Sequence, residues 1–198
     1  MPQDATIEYY NSCAEEYAAQ TQSIEFTDVQ DRFLALLPKG AQVLDFGCGS
    51  GRDSRYFLSK GLQVDACDGS AEFCRLASKF AGIPVRQMLF EELDAAEIYD
   101  GIWACSSILH VPKAQLGDIF IKMLRALRPG GILYTSFKNE DFEGVRNGRY
   151  FSCFTEPELR TFLTRFPGLE IIELWQSADV RPGRDSELWL NILMQKDD

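Results

Sequence analysis

The chain has 198 residues, 45% of them hydrophobic, and a formal net charge of −10 at pH 7. This length fits one domain, residues 1–198, with a core between helices and a sheet and no room for a second independent domain. No apolar stretch approaches the roughly 20 residues that span a bilayer, and the acidic balance repels a phosphate backbone, so we expect neither a membrane nor a nucleic acid as partner.

Two amphipathic helices are predicted in the first 38 residues, at about 6–21 and 28–37. Thr27 is expected to cap the second helix, because Gln30 follows it three positions later as in a capping box. Since this segment precedes the sheet, we expect residues 1–38 to form a helical cap that packs on the face of the sheet or across its top edge.

The N-terminal sequence and the cysteines both predict a cytoplasmic protein. The first ten residues carry acids and tyrosines where a secretory signal needs a basic start and an apolar core. The six cysteines are scattered, and they do not cluster around the single histidine as metal ligands do. We therefore expect no disulfide framework and no metal site.

From residue 40 onwards the pattern alternates between strands and helices. Ser70 is expected to cap one helix, and Pro112 to occupy the first position of another. The predicted strands lie at about 42–46, 62–67, 84–88, 101–106 and 132–138, and the predicted helices at about 52–60, 71–80 and 112–127.

A polar excursion at 139–154 is followed by a capping box, Thr155 and Glu158, which begins a helix that ends near Phe166. The last two predicted strands, 169–175 and 188–195, have no helical pattern between them and must pair antiparallel. The predicted fold is therefore α/β: residues 39–198 form a Rossmann-like, doubly wound, seven-stranded sheet with an antiparallel last strand.

The first predicted strand runs into glycines, Asp45-Phe46-Gly47-Cys48-Gly49-Ser50-Gly51, and then into a helix. Glycines at such a turn let the backbone approach a ligand closely, although an ordinary tight turn has the same pattern. Asp68 ends the second strand about 20 residues later, where a carboxylate can bind ribose hydroxyls. The alternative role for Asp68-Gly69-Ser70 is a turn and helix cap. Together, the loop and the acid indicate a nucleoside ligand.

Neither a dinucleotide fingerprint nor a phosphate-binding P-loop fits these glycines, because Arg52 follows Gly51 and no Gly-Lys-Ser/Thr is present. The spacing resembles the D/E-x-G-x-G-x-G loop of the class I S-adenosylmethionine-dependent methyltransferases, and more narrowly that of the small bacterial tellurite-resistance-type members. Two further motifs of that family have matches: the acid after strand two in Asp68, and the L-x-P-G-G entrance to strand five at residues 127–131.

The resemblance implies that the protein binds S-adenosylmethionine and transfers its methyl group to a small molecule. A helix carrying tyrosines caps the cofactor in relatives, and Tyr10 and Tyr17 share one helix face; aromatic packing onto the sheet is the alternative for one of them. The residues that we expect to contact the cofactor are Tyr10, Tyr17, Asp45, Gly47, Cys48, Gly49, Arg52, Asp53, Asp68, Gly69, Ser70, Phe90, Glu91, Cys105 and Ser106.

The adenine and methionine ends of this expected site are less sharply defined by the sequence. Many relatives hold adenine with an aspartate where this chain has Leu89, so Glu91 or backbone groups near Phe90 are expected to serve instead; a solvated helix start is the alternative for Glu91. Arg52 is placed to meet the cofactor carboxylate, or else lies at the surface.

His110 follows the fourth predicted strand, at the edge of the sheet where ligands bind in open α/β folds. A sulfonium methyl group is already activated, so a general base is needed only if the acceptor atom arrives protonated. His110 is the candidate base, and a role as a simple helix cap is its alternative.

Two segments bring arginines to this same edge. Arg181 and Arg184 flank a Pro-Gly turn before the last strand, and Arg149 lies in the excursion after strand five. Arginine forks suit carboxylates and phosphates, so the three are expected to form a basic rim that selects a small anionic acceptor. In the alternative, Arg184 pairs with Asp185 or another surface acid.

Two other functions remain open from the sequence. The chain could bind S-adenosylmethionine as a regulatory protein without turnover, or it could be a nucleotide-dependent oxidoreductase. The methyltransferase fold serves oxygen, nitrogen, carbon, sulfur and metalloid acceptors alike, so the sequence leaves the acceptor atom open.

Overall fold

A seven-stranded sheet lies at the centre of the structure, a computed structural model that describes residues 2–198. Two further strands form a separate hairpin. In chain order the strands are β1 (Gln42–Phe46), β2 (Gln63–Asp68), β3 (Val85–Gln87), β4 (Tyr99–Ala104), β5 (Leu127–Lys138), β6 (Glu143–Arg146), β7 (Arg149–Ser152), β8 (Leu169–Ala178) and β9 (Leu188–Lys196).

Within residues 2–198, six helices and two short 3₁₀ turns, Phe90–Glu92 and Ile108–His110, precede or connect these strands. Local signals set several helix boundaries: the Ser70 hydroxyl accepts from the Phe73 N–H, and the Glu158 carboxylate accepts from the Thr155 N–H, as the caps predict. The helices are α1 (Pro2–Thr21), α2 (Thr27–Leu34), α3 (Arg52–Ser59), α4 (Ala71–Ala81), α5 (Lys113–Ala126) and α6 (Glu156–Leu163).

The strand order is β3-β2-β1-β4-β5-β9-β8. Neighbours from β3 to β5 pair in parallel, and β9 pairs antiparallel with both β5 and β8. This confirms the predicted Rossmann-like sheet with its antiparallel last strand. The order reverses between β1 and β4, and ligands in such sheets bind outside the carboxyl ends of the strands at this switch point.

Both faces of the sheet are covered, as expected for a parallel sheet. Along β1, Val43 joins the core beneath α2 and α3, whereas Leu44 and Phe46 join the core beneath α5 and α6. On the first face Trp103 stacks on Tyr134 with ring centroids 4.0 Å apart. Fully burying each such aromatic side chain stabilises the fold by roughly 1.5–3 kcal/mol.

Of the two N-terminal helices, α1 lies across the cleft at the edge of the sheet and α2 packs on one face of the sheet, and the boundaries of both differ from expectation. Helix α1 begins at Pro2 and packs on α4 and β7. Helix α2 ends at Leu34, and Thr27 is its first residue rather than its cap, because the Thr27 hydroxyl bonds to the Glu25 carboxylate. Among residues 2–198, no helix has the length and apolar character needed to cross a membrane.

The excursion after β5 is not a simple polar loop but the β6–β7 hairpin. Asn147 and Gly148 connect its strands, both with positive φ (51° and 77°), as the favoured two-residue hairpin turn requires. Two other boundaries also differ from expectation. Helix α5 begins at Lys113, after Pro112, and β5 begins directly at Leu127, which pairs with Tyr99 beyond a bulge.

Candidate functional site

A deep cleft opens at the carboxyl ends of β1 and β4, and α1 lies across it. Of the predicted site residues, two do not line this cleft: Asp45 and Glu91. Those that do are Tyr10, Tyr17, Gly47, Cys48, Gly49, Arg52, Asp53, Asp68, Gly69, Ser70, Phe90, Cys105, Ser106, His110, Arg149, Arg181 and Arg184.

The glycine loop forms the floor of the cleft. Gly47 has φ of 84°, and a Cβ there would lie 2.5 Å from the Ser107 Cβ, so only glycine fits. Gly49 also has a positive φ, 53°, but a Cβ there would meet no atom within 4 Å. The loop therefore presents bare backbone to open space in the cleft, a cradle that a side chain at Gly49 would fill.

Asp68 lies at the end of β2 beside this loop. Its carboxylate accepts hydrogen bonds from the Gly49 N–H (2.9 Å) and the Ser70 N–H (2.8 Å). Burial raises the pKa of Asp68 to about 6, against the opposing effect of these two donors. Asp68 thus organises the turn, as the interpretation as a turn and helix cap predicts. It also lines the cleft, as a ribose-binding carboxylate requires.

Beneath the loop, two acids hold its supporting elements together. The Asp45 carboxylate accepts from the Ser54 hydroxyl (2.5 Å), and the residue is 2% exposed and does not line the cleft, so its predicted contact with the cofactor stays a prediction. Asp53 accepts from Gln30 (2.7 Å) and from the Trp103 indole (2.8 Å). Burial, and then the nearby Asp53 charge, raise the pKa of Asp45.

Arg52 is not a solvated surface residue. Its guanidinium forms two hydrogen bonds with Asp53, at 2.7 and 3.0 Å, and lies over the Phe26 ring with 4.5 Å to the centroid. Its charge is therefore balanced within the protein, although the side chain still lines the cleft.

The end of the cleft beyond β3 is apolar. Phe90 packs edge-on against Phe46, with ring centroids 4.8 Å apart, and Leu89 also lines the cleft. The Leu89 N–H donates to the Glu92 carboxylate (2.7 Å), which fixes the 3₁₀ turn and leaves Glu91 outside the lining. Of the residues predicted for the adenine end, Phe90 lines the cleft, together with Leu89, and Glu91 does not.

His110, Tyr10 and Arg149 form a connected cluster opposite the glycine loop. The His110 Nδ1 lies 2.6 Å from the Tyr150 carbonyl oxygen, which can only accept, so Nδ1 carries the proton. Nε2 then accepts from the Tyr10 hydroxyl at 2.9 Å. Burial lowers the pKa of His110 to about 4, so the imidazole is neutral at pH 7.

The three arginines of the predicted rim all line the cleft, but two of them are paired. Arg181 donates to Asp179 (Nε at 2.9 Å), and the Arg184 guanidinium lies 3.5 Å from the Glu187 carboxylate, in line with the surface-pairing alternative. In the described part of the chain Arg149 has no carboxylate partner within ion-pair distance. The expectation of three available charges is therefore corrected to one.

Several residues of the site were missed by sequence reasoning. Thr21 and Gln22, at the end of α1, bond to Ser50 and tie the cap to the glycine loop. The far wall comes from the ends of β5, β8 and β9, at a sheet edge that the topology alone could have indicated. The missed lining residues include Ile7, Phe73, Met88, Ser136, Lys138, Ser177, Trp189 and Asn191.

Across residues 2–198, no group of three or more His, Cys, Asp or Glu side chains is arranged to hold a metal ion. The site therefore consists of a glycine floor, a buried acid, an apolar end and a neutral histidine. Together with the switch point of the sheet, these features agree with the fold and ligand cleft that the resemblance to class I S-adenosylmethionine-dependent methyltransferases predicts.

Sequence comparison agrees with this class. Residues 43–131 match the family described as methyltransferase domain. The chain is 31% identical over 140 residues to the malonyl-[acyl-carrier protein] O-methyltransferase of Enterobacter lignolyticus, covering 68% of this chain and 55% of that protein. It is 35% identical over 111 residues to the ubiquinone biosynthesis O-methyltransferase of Xanthomonas axonopodis pv. citri, and this match covers 52% of this chain and 46% of that protein. The chain thus spans about half the length of these curated relatives.

Structural comparison supports the same fold over almost the whole chain. The crystal structure of the Burkholderia thailandensis 1,6-didemethyltoxoflavin-N1-methyltransferase, with bound 1,6-didemethyltoxoflavin and S-adenosylhomocysteine, superposes with a TM-score of 0.79 at 24% identity. The match covers 98% of this chain and 88% of that one. Residues 43–131 thus match a methyltransferase domain, and almost the whole chain shares the fold of a methyltransferase, in agreement with the predicted resemblance; neither comparison supports an oxidoreductase.

Proposed function

We propose that this protein is an enzyme that transfers the methyl group of S-adenosylmethionine to a small-molecule acceptor. The observation that carries the proposal is the Asp68 carboxylate, held by the Gly49 N–H at the edge of the cleft. An acid and a bare glycine loop on one wall suit a nucleoside whose ribose hydroxyls face the acid.

The lining residues fit such a cofactor along its length. Asp68 would accept from the ribose hydroxyls, and the open face of Gly49 gives the space that a ligand backbone contact needs. Leu89 and Phe90 would enclose the adenine ring by apolar contact. Cys105 and Ser106, at the end of β4, would lie beside the methionine portion.

The bound cofactor supplies an activated methyl group, so the protein contributes position, electrostatic surroundings and exclusion of water. Helix α1 lies over the cleft with Tyr10 and Tyr17, whose rings meet edge to face at 5.6 Å. The neutral Nε2 of His110 is the group that would accept a proton from a protonated acceptor atom, once the Tyr10 hydroxyl gives up that bond.

A small acceptor fits this site better than a macromolecule, since α1 and the β6–β7 hairpin close over the cleft; the Tyr150 N–H of the hairpin donates to the Thr6 hydroxyl of α1 (2.9 Å). The narrower resemblance to tellurite-resistance-type enzymes, the single-domain organisation, the cytoplasmic location and the exclusion of nucleic acid stay predictions from the sequence.

A thermal-shift panel tests the proposal directly. S-adenosylmethionine and S-adenosylhomocysteine are expected to raise the melting temperature, whereas NAD and NADP are not. Stabilisation by NAD or NADP alone would contradict the assignment. Turnover of methyl-labelled cofactor on a panel of small hydroxyl, amine and thiol acceptors then separates an enzyme from a regulatory protein that only binds the cofactor.

A further inference from the structure

Arg149 lies on a wall shared by two cavities. It is the first residue of β7, directly opposite Arg146 across the turn of the hairpin. On one side it lines the main cleft, near Tyr10 and His110; on the other it lines a second cavity beside the ends of β5 and β9. A ligand group at Arg149 is therefore within reach of a molecule bound in the main cleft.

The other cationic side chains around these two cavities are balanced by carboxylates. Lys138 pairs with Glu187, and Arg146 forms two hydrogen bonds of 2.9 Å with Glu140. Arg184 also faces Glu187, and Arg52 and Arg181 have Asp53 and Asp179 as partners. Along these walls, within the described residues, Arg149 is the cation left without an acidic partner.

The surroundings of Arg149 are aromatic rather than acidic. Its guanidinium carbon lies 4.7 Å from the Tyr9 ring centroid and 5.1 Å from that of Phe151. One Nη donates a long hydrogen bond, 3.4 Å, to the Tyr10 hydroxyl, and the buried Nε–H has no hydrogen-bond partner. Arg149 is only half-buried, but its guanidinium has one long hydrogen bond and one buried, unpaired N–H, and a ligand group that bonds to the guanidinium would offset the cost of this incomplete pairing.

We propose that Arg149 binds a carboxylate group of the methyl acceptor, so that the enzyme acts on small monocarboxylates. The guanidinium fork matches a carboxylate in geometry, and one unbalanced positive charge suits one negative charge rather than a doubly charged phosphate. Its contact with Tyr10 places that carboxylate beside His110, the proposed proton acceptor. This inference rests on the proposed methyltransferase function.

The test compares carboxylates with matched neutral amides on protein saturated with S-adenosylhomocysteine. The probes are benzoate and benzamide, 4-hydroxybenzoate and 4-hydroxybenzamide, and glycine and glycinamide, with phenyl phosphate as the dianionic arm. Binding is measured by calorimetry and ligand-observed NMR. The variants are Arg149→Gln and Arg149→Met, which remove the charge in two ways, and Arg146→Gln as the matched control from the same hairpin.

The wild type is expected to bind at least one carboxylate about tenfold to a hundredfold more tightly than its amide, because a charge-assisted hydrogen bond contributes a free energy of that size. Both Arg149 variants should lose this preference, and Arg146→Gln should keep it. No carboxylate binding at millimolar concentration, a preference that survives in either Arg149 variant, or an Arg149-dependent preference for phenyl phosphate would overturn the inference. Stabilisation by S-adenosylhomocysteine in the same samples reports separately on the proposed function.

Discussion

The Tyr10 hydroxyl donates a hydrogen bond of 2.9 Å to the Nε2 of His110, although the two residues lie 100 positions apart in the chain. Tyr10 belongs to the helical cap and His110 to the turn after β4. The bond can have only this direction, because the other ring nitrogen donates to the Tyr150 carbonyl oxygen. The cap therefore covers the cleft and also occupies the one acceptor atom of the candidate base.

The buried state of His110 predicts a pH-dependent stability. The pKa of His110 is about 4 in the folded protein, below the ordinary value of 6.5. Between these two pH values the unfolded chain binds a proton at His110 and the folded protein does not. The resulting loss of stability is absent above about pH 7 and grows as the pH falls from 6.5 towards 4. Between pH 7.5 and 5 it should lower the free energy of unfolding by about 2 kcal/mol.

Urea denaturation of wild type and His110→Gln at these two pH values isolates this term. The glutamine can keep bonds to Tyr10 and Tyr150 but does not titrate. On going from pH 7.5 to pH 5, the free energy of unfolding of the wild type should therefore fall by about 2 kcal/mol more than that of His110→Gln. Equal pH dependence in both proteins would show that His110 is not a buried neutral imidazole.

Replacing Asp68 with alanine should weaken the binding of S-adenosylhomocysteine by about 1–3 kcal/mol, because the ribose loses its acceptor and the Gly49 N–H loses its partner. Calorimetry provides the measurement. Asp65→Ala is the matched control, since Asp65 lies on the same strand outside the cleft and bonds to Tyr99. If the affinities of the two variants are the same, the ribose assignment is wrong.

Gly49→Val should abolish cofactor binding, since its side chain would enter the open space above the loop floor. The backbone strain of a positive φ is controlled by Gly82→Val. Gly82 has φ of 77° and lies outside the cleft, and a Cβ there would likewise meet no atom within 4 Å. Both variants should lose stability, as their melting temperatures will show. Tight cofactor binding by a folded Gly49→Val protein would exclude close approach of the ligand to this loop.

The features that sequence reasoning predicted well are local ones. The strand at 42–46, the glycine loop and the acid at Asp68 follow from short-range pattern, and the order of strands and helices then determines the sheet topology. The β6–β7 hairpin carried a local signal too, Asn147-Gly148, which the polar composition around it obscured.

The features that sequence reasoning missed depend on contacts between distant segments. Arg181 is close to Asp179 in sequence, but whether its charge faces a ligand or a carboxylate depends on how the β8–β9 connection folds. Glu91 is exposed and lies outside the cleft lining, whereas its neighbour Glu92 bonds to the Leu89 N–H. Side-chain pairing of this kind is set by tertiary geometry, which residue spacing does not encode.

A crystal structure of the protein with S-adenosylhomocysteine tests most directly whether this cleft is the cofactor site. We expect the ligand to lie along the glycine loop, with both ribose hydroxyls within about 2.5–3.2 Å of the Asp68 carboxylate oxygens and adenine against Phe90. A ligand bound elsewhere, or a ribose that does not contact Asp68, would contradict the assignment.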